Sequence, residues 1–151
     1  MTLNVQTQTQ SQLQIKPKKI QEKGFPHIII VDDDIELLQE LKDAFSSHYQ
    51  VDTLSNSAEA FNMVNELMPD LIVMDIKMSP KTGFQLANEF RNSERTKSIP
   101  IIAITGIYVE KEHSLMMKLF GMKHIIIKPF HFEQLFEEIE AILNEYKPNW
   151  N

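Results

Sequence analysis

Cysteine is absent from this chain of 151 residues. Its absence excludes disulfide bonds, thiol catalysis and metal sites built on cysteine. The chain also lacks an apolar stretch near the roughly 18–20 residues that span a bilayer. A basic start followed by an apolar run, the pattern typical of a signal peptide, is missing as well. We therefore expect a cytoplasmic protein without membrane insertion.

The chain has fewer basic than acidic residues, with 15 Lys and Arg against 21 Asp and Glu, and its net charge is −6. General binding to nucleic acid is therefore disfavoured, and no direct DNA binding is expected. Apolar residues make up 42% of the chain, which is ordinary for a globular protein. The length is sufficient for one domain with a substantial core.

The first 24 residues differ in composition from those that follow. They are rich in Gln and Thr and then in Lys, which predicts a disordered N-terminal arm over residues 1–24. We expect one domain over residues 25–147 and a short tail at 148–151. The alternative for the arm is a docking patch formed by four lysines, Lys16, Lys18, Lys19 and Lys23.

Short apolar runs alternate with amphipathic stretches from Phe25 onward. The predicted strands are about His27–Val31, Gln50–Leu54, Asp70–Asp75, Ile99–Ile104 and His124–Ile127. The stretches between and after them repeat apolar residues at a helical period, most clearly in the last helix. This alternation predicts five βα units with right-handed crossovers and helices on both faces of a parallel sheet.

Three helices carry local features that can be checked. Asp34 is expected to cap the first helix, and Ser57, followed by a glutamate-containing turn, is expected to cap the second. The fourth helix is predicted from the helical spacing of Leu115, Met116, Lys118 and Leu119.

Four apolar runs each end in residues that can interact with a phosphate. They are Ile28–Val31 before Asp32, Asp33 and Asp34; Leu71–Met74 before Asp75; Ile101–Ile104 before Thr105 and Gly106; and Ile125–Ile127 before Lys128 and Pro129. Such runs are typical of strands buried on both faces. Ligands of parallel sheets bind beyond the carboxyl ends of the strands. We therefore expect acids, a hydroxyl and an ammonium to meet in one crevice.

This combination suits phosphoryl transfer. An aspartate can attack phosphorus and form an acyl phosphate, provided that a cation neutralises the phosphoryl oxygens. Mg²⁺ needs one or two carboxylates because it keeps several waters. An ammonium and a hydroxyl can hold the remaining oxygens. The candidates are Asp32 or Asp33, together with Asp75, Thr105 and Lys128.

Each candidate also has a simpler explanation. Asp32 and Asp33 could serve only to cap the first helix, and Asp75 could be a turn residue. Thr105 could hydrogen-bond within its own turn, and Lys128 could be a solvated loop lysine.

The sequence resembles the receiver domain of two-component response regulators in four segments: IIIVDDD, DLIVMDIKMSPKTG, PIIAITG and GMKHIIIKPF. The spacing agrees, since Gly83 follows Asp75 by eight residues and Thr105 follows it by thirty. The resemblance covers His27 to about Tyr146. It implies an α/β fold with a five-stranded parallel sheet of the doubly wound, flavodoxin or CheY-like (βα)5 type, in strand order 2-1-3-4-5.

The resemblance also implies roles for individual residues. Asp75 is the phosphoacceptor and contributes to the metal site. Asp33 is the direct Mg²⁺ ligand, and Asp32 holds the metal largely through water. The backbone carbonyl of Lys77 is the third protein ligand.

Two further residues complete the implied site. Thr105 is the hydroxyl that moves onto the phosphoryl oxygens during switching. Lys128 pairs with the phosphoryl group, and the Lys128–Pro129 bond is expected to be cis.

Three positions depart from the family pattern. Ser79 stands where proline is usual, four residues after Asp75, with the proline displaced to Pro80. Ile125 stands three positions before Lys128, where the family usually has Tyr or Phe. The change of rotamer that this aromatic ring undergoes on activation is therefore in question. Lys77 places a long cation near the expected site.

We therefore expect a stand-alone receiver without an output domain. A histidine kinase or a histidine phosphotransfer protein is the expected phosphoryl donor. The face formed by the fourth helix, fifth strand and fifth helix is expected to bind a downstream protein. Such a domain is a signalling switch rather than a metabolic enzyme, with self-catalysed phosphotransfer and slow dephosphorylation. The alternatives are a phosphorylation-independent pseudo-receiver and an aspartyl-phosphate hydrolase, which needs an acid where Lys77 stands.

Overall fold

The strands and helices of a computed structural model, which describes residues 25–106 and 111–145, follow the predicted alternation. The predicted arm at 1–24 and tail at 148–151 lie outside the described residues, as does the predicted end of the domain at residue 147. Among the helices that the structure describes, none has the length and apolar character needed to span a bilayer.

Five βα units succeed one another along the chain. The strands are β1 (His27–Val31), β2 (Gln50–Leu54), β3 (Leu71–Asp75), β4 (Ile101–Thr105) and β5 (Met122–Ile127). The helices are α1 (Ile35–Phe45), α2 (Ala60–Leu67), α3 (Gly83–Arg91), α4 (Lys111–Leu119) and α5 (Phe132–Glu145), with a 3₁₀ turn at Ser57–Glu59 before α2. The first two strands match their predicted bounds, and the others differ by one or two residues.

The five strands form one parallel sheet in the order β2-β1-β3-β4-β5, which confirms the predicted topology. The register aligns the carboxyl ends of the central strands. Val31 pairs with Met74, and Asp75 pairs with Ile104. Residues that end or follow β1, β3, β4 and β5 therefore lie at the same edge of the sheet.

The sheet separates two hydrophobic cores, because successive side chains of a strand point to opposite faces. Ile28 and Ile30 of β1 pack with α1 and α5 in one core. Ile29 and Val31 pack with α2, α3 and α4 in the other. Every residue of β3 and β4 is buried, as the apolar runs predict for central strands of a covered sheet.

The fourth apolar run is different, and the prediction that it is buried on both faces is wrong. Ile126 is buried in the core beside α1 and α5. Ile125 and Ile127, which point to the opposite face, are 37% and 50% exposed. The physical reason is that β5 is an edge strand and α4 leaves part of its outer face uncovered.

Helix α4 presents less apolar surface to the core than its period suggests. Of the α4 side chains that the structure describes, at residues 115–119, Met117 is the one that enters the core. Leu115 and Leu119 are largely exposed, with Leu119 at 71%. The apolar side assigned to this helix from the sequence therefore faces outward in large part.

Two helix caps predicted from the sequence can be compared with the structure. Asp34 caps α1 as predicted, by accepting a hydrogen bond from the Leu37 amide. The prediction that Ser57 caps the second helix is wrong. Asn56 caps the 3₁₀ turn there by accepting a hydrogen bond from Ala58, and the Ser57 hydroxyl is directed elsewhere.

Candidate functional site at the carboxyl edge of the sheet

The three consecutive aspartates after β1 face different surroundings. Asp32 is 2% exposed and accepts a hydrogen bond from the Asp34 amide at 2.9 Å, which turns its carboxylate inward. Asp33 is exposed, and Asp34 is engaged in capping α1. The turn between β1 and α1 therefore directs one acid into the crevice and leaves a second at its mouth.

Asp75 is the last residue of β3 and is 7% exposed. Its Oδ1 accepts a hydrogen bond from the Lys77 amide at 3.2 Å. The backbone of Lys77 therefore lies against the carboxylate, while its side chain is exposed. The buried strand fixes the backbone of Asp75, and the start of the next loop orients its side chain.

Lys128 follows the edge strand β5 and reaches the acids along the same carboxyl edge of the sheet. Its backbone amide donates to the Thr105 carbonyl at 2.8 Å, which continues the β4–β5 ladder. Its Nζ lies 2.8 Å from Asp32 Oδ2 and 3.2 Å from Asp75 Oδ2. The Lys128–Pro129 bond is cis, as the resemblance implies.

Burial and ion pairing shift the pKa in opposite directions, both for Asp32 and for Lys128. Burial raises the pKa of Asp32, although hydrogen bonds from Lys128 and from the Asp34 amide oppose that rise. Burial alone would lower the pKa of Lys128, but its hydrogen bond to Asp32 and the charges of Asp32 and Asp75 outweigh burial and raise that pKa. The ammonium therefore stays charged between two buried carboxylates.

Three carboxylates form a group that fits a hard cation. Asp32, Asp33 and Asp75 each offer an oxygen, and these atoms lie within 4.8 Å of one another. An all-oxygen donor set suits Mg²⁺, which needs few protein ligands. Among the described residues, Lys128 is the one whose ammonium pairs with Asp32 and Asp75, so this group of three acids keeps an excess of negative charge. The donor chemistry and the charge balance both favour a divalent cation.

Thr105 ends β4 and is buried at this edge of the sheet. It follows Ile104, the residue paired with Asp75, and is itself paired with Ile127. The structure thus joins Asp32, Asp33, Asp75 and Lys128 by direct geometry and places Thr105 on the adjoining strand. The roles assigned to these residues, and to the Lys77 carbonyl, stay predictions.

The loop between β3 and α3 folds back onto the phosphoacceptor candidate. A Cβ built on Gly83 would lie 2.6 Å from the Asp75 carbonyl oxygen and 2.8 Å from Ile76 Cα. Glycine is therefore required at this close approach. The Ser79–Pro80 bond, at the position of the displaced proline, is cis.

One surface near the site was not predicted from the sequence. A groove of about 390 Å³ lies beside Lys128, lined by Leu37, Glu40, Lys128, Pro129, Phe130 and Phe132. Phe130 and Phe132, which follow Lys128–Pro129 within three residues, were the signal that could have indicated this groove.

Another surface, which we term the α4–β5 patch, comprises exposed apolar side chains on two elements of the face that was expected to bind a downstream protein. They are Leu115, Met116, Leu119, Ile125 and Ile127. Clusters of exposed apolar side chains often mark binding sites for other proteins. The alternating exposure of β5 could not be recognised from a continuous apolar run.

Comparison with known proteins gives a consistent result. The family model of the response regulator receiver domain matches residues 28–140. The sensory transduction protein BceR of Halalkalibacterium halodurans is 32% identical over 117 residues, which cover 77% of this chain and 49% of that protein. The polar-differentiation response regulator DivK of Brucella anthropi is 26% identical over 121 residues, covering 78% of this chain and 96% of DivK.

Solved structures show the same likeness. The chemotaxis response regulator CheY4 of Vibrio cholerae aligns with a TM-score of 0.72 at 26% identity, over 79% of this chain and 99% of that structure. The chain spans about half the length, or less, of the first curated relatives that it matches.

Proposed function

Because the chain belongs to the response regulator receiver family of two-component signalling, we propose that it accepts a phosphoryl group on Asp75 and thereby switches a protein-binding face. The phosphoryl donor is a histidine kinase or a histidine phosphotransfer protein. The observation that supports this proposal most strongly is the buried Asp75 carboxylate, which lies 3.2 Å from the Lys128 ammonium and within 4.8 Å of two further acids.

The proposed reaction exchanges one bond to phosphorus for another. A carboxylate oxygen of Asp75 attacks the phosphorus of a phosphohistidine, the new O–P bond forms and the P–N bond breaks. The imidazole nitrogen leaves and takes up a proton. Lys128 stabilises the negative phosphoryl oxygens, because its ammonium already lies between Asp32 and Asp75.

Mg²⁺ is the proposed cofactor, and it would neutralise phosphoryl charge that a single lysine cannot. Asp32, Asp33 and Asp75 would hold it, together with the backbone carbonyl of Lys77. The reaction consumes a phosphorylated partner and leaves the product on the protein itself. We therefore propose a signalling switch in the cytoplasm, where ATP charges the donor kinase, rather than a metabolic enzyme.

The donor must approach Asp75 from the carboxyl edge of the sheet, since the strand buries the other sides of the residue. The groove beside Lys128 opens on this edge and combines apolar walls with that lysine. Ile35, at the first residue of α1, adds an exposed apolar side chain just after the acids. We assign donor docking to this surface because it adjoins the reacting carboxylate.

The output is assigned to the α4–β5 patch with the adjoining helix α5. Thr105 connects the site to this face, because it lies beside Ile127 on the sheet. A change at the buried hydroxyl can therefore reach exposed residues through one pair of strands. The downstream target is a protein that covers these apolar side chains.

The test is chemical phosphorylation followed by intact-mass analysis. With acetyl phosphate and Mg²⁺ we expect one phosphoryl group on the wild type and none on Asp75→Asn. Excess chelator should abolish the labelling. Equal labelling of the variant would contradict the assignment to Asp75. A protein that is never labelled, yet binds a partner through the α4–β5 patch, would instead be a phosphorylation-independent pseudo-receiver.

A further inference from the structure

Ser57 lies far from the candidate site in sequence but contacts the loop that follows Asp75. It is fully buried at the start of the 3₁₀ turn before α2. Its hydroxyl oxygen accepts a hydrogen bond from the backbone amide of Lys81 at 2.9 Å. This contact joins the α2 side of the molecule to the β3–α3 loop, which we define as residues 76–82.

Lys81 is the point at which the β3–α3 loop is attached on this side. Its ammonium pairs with the Glu89 carboxylate on α3, with Oε2 at 2.8 Å. At the beginning of the loop, the Lys77 amide donates to Asp75 Oδ1. Between these attachments Met78 is buried in the core that contains Ile29 and Val31, whereas Ser79 and Pro80 are exposed. The loop is therefore attached at both ends and through Met78, and its exposed part between these attachments is Ser79 and Pro80.

Gly83, the first residue of α3 and the one that follows the loop, rests directly on the phosphoacceptor candidate. The Gly83 amide donates to the Ile76 carbonyl at 2.8 Å. Gly83 also approaches the Asp75 carbonyl so closely that a Cβ has no room there. Because Gly83 follows Lys81 by two residues, a displacement of Lys81 is transmitted to the backbone of Asp75 and Ile76.

We propose that Ser57 is a positioning residue for the site, acting through Lys81 to fix the β3–α3 loop and the residues it carries. This inference rests on the proposed function, since it concerns the same carboxylate. Ser57 contacts no reacting group. Its effect comes from an amide that would lose its partner if the hydroxyl were removed.

The test compares Ser57→Ala with Asn56→Ala. The control removes a hydrogen bond from the same turn, that of Asn56 to the Ala58 amide, without affecting the loop. Three quantities are measured in each full-length variant: hydrogen exchange of the Lys81 amide, Mg²⁺ affinity by calorimetry, and the rate of phosphorylation by acetyl phosphate.

In Ser57→Ala we expect faster exchange at Lys81 and a loss of about three- to tenfold in Mg²⁺ affinity and phosphorylation rate, the scale of one hydrogen bond. Asn56→Ala should leave all three near the wild-type values. Ser57→Thr keeps the hydroxyl and should recover most of the Mg²⁺ affinity, with its melting temperature reporting whether the added methyl fits.

Two outcomes would overturn the inference. One is a Ser57→Ala variant whose Lys81 amide exchanges faster while its Mg²⁺ affinity equals that of Asn56→Ala, because Ser57 is then merely structural. The other is an equal loss in both variants, which would trace the effect to the turn. A wild type that binds Mg²⁺ but is never phosphorylated refutes the proposed function alone, since exchange and affinity still decide the role of Ser57.

Discussion

The Nζ of Lys128 lies 3.2 Å from Asp75 Oδ2, although 53 residues separate the two in sequence. The same ammonium lies 2.8 Å from Asp32 Oδ2. Lys128, which follows the edge strand β5, thus bridges Asp32, which follows β1, and Asp75, which ends β3. This arrangement keeps two buried carboxylates close to each other, and the exposed Asp33 adds a third negative charge beside them.

Mg²⁺ should stabilise the fold because it relieves this excess of negative charge and binds only the folded chain. At a metal concentration of about 100 times the dissociation constant, the expected gain is about 2.7 kcal/mol. Asp33→Asn should reduce the rise in melting temperature. Asp34→Asn is the matched control, because asparagine caps a helix as well as aspartate does. Equal metal responses in the two variants would place the ion elsewhere.

Gly83→Ala should destabilise the protein by about 1–3 kcal/mol, because its Cβ would overlap the backbone of Asp75 and Ile76. The direction of this stability change is informative, since alanine normally stabilises a helical position relative to glycine. Gly106→Ala is the control, because among the described residues other than its chain neighbours the nearest atom to its Cβ would be Lys128 Cβ, at 3.9 Å. Urea denaturation measures both. Similar free energies of unfolding for the two variants would refute the close approach at Gly83.

Asp52 should contribute to stability in a pH-dependent manner. Its hydrogen bond with His27, at 2.6 Å, holds the pKa of Asp52 below its ordinary value of 3.8. A lowered carboxyl pKa means that the fold favours the ionised form. The contribution is therefore fully present above pH 3.8 and is lost as the pH falls through the lower folded pKa.

Asp52→Asn is accordingly expected to cost about 0.2–1 kcal/mol near neutral pH, a typical value for a partly exposed pair. The deficit should vanish in strongly acidic solution. Thermal melts across pH measure it, and the substitution should have little effect in a His27→Gln background. A deficit that grows as the pH falls below 3.8 would reverse the sign of the argument.

Ile125 should change little on activation, because a branched side chain in a strand has few χ1 states. Its neighbour Ile126 is buried and anchors the strand at this point. Methyl NMR with and without beryllofluoride should show the larger changes around Thr105 and the start of α4. Replacing Ile125 with Tyr should leave the phosphorylation rate within about twofold and the free energy of unfolding within about 0.5 kcal/mol, since the position is partly exposed. A large rotamer change at Ile125 would contradict the first expectation. Many-fold slower phosphorylation of the Tyr variant would contradict the view that Ile125 belongs to the output face and takes no part in phosphorylation.

The sequence was sufficient to predict the sheet and the meeting of the acids. Buried central strands require continuous apolar runs, and the residue after each run is carried to one edge by the parallel arrangement. Asp75 and Lys128 could therefore be paired without coordinates. The Asp34 cap was also predictable, because its hydrogen bond is local.

Features that depend on neighbours distant in sequence were not predictable. The run Ile125–Ile127 looks the same whether a helix covers both of its faces or only one. Ser57 carries a residue type favoured at helix caps, but its hydroxyl bonds to Lys81, 24 residues away. The exposure of the apolar side chains of α4 depends on how far that helix lies from the edge strand, and a helical period does not indicate that distance.

The most direct measurement is the location of the phosphoryl group on the chain. The protein is treated with acetyl phosphate and Mg²⁺ and then with borohydride, which reduces an aspartyl phosphate to homoserine, and the digest is mapped by tandem mass spectrometry. We expect homoserine at position 75 alone, with none when Mg²⁺ is chelated. Homoserine at Asp32 or Asp33, or at no residue, would contradict the proposal that Asp75 is the phosphoacceptor.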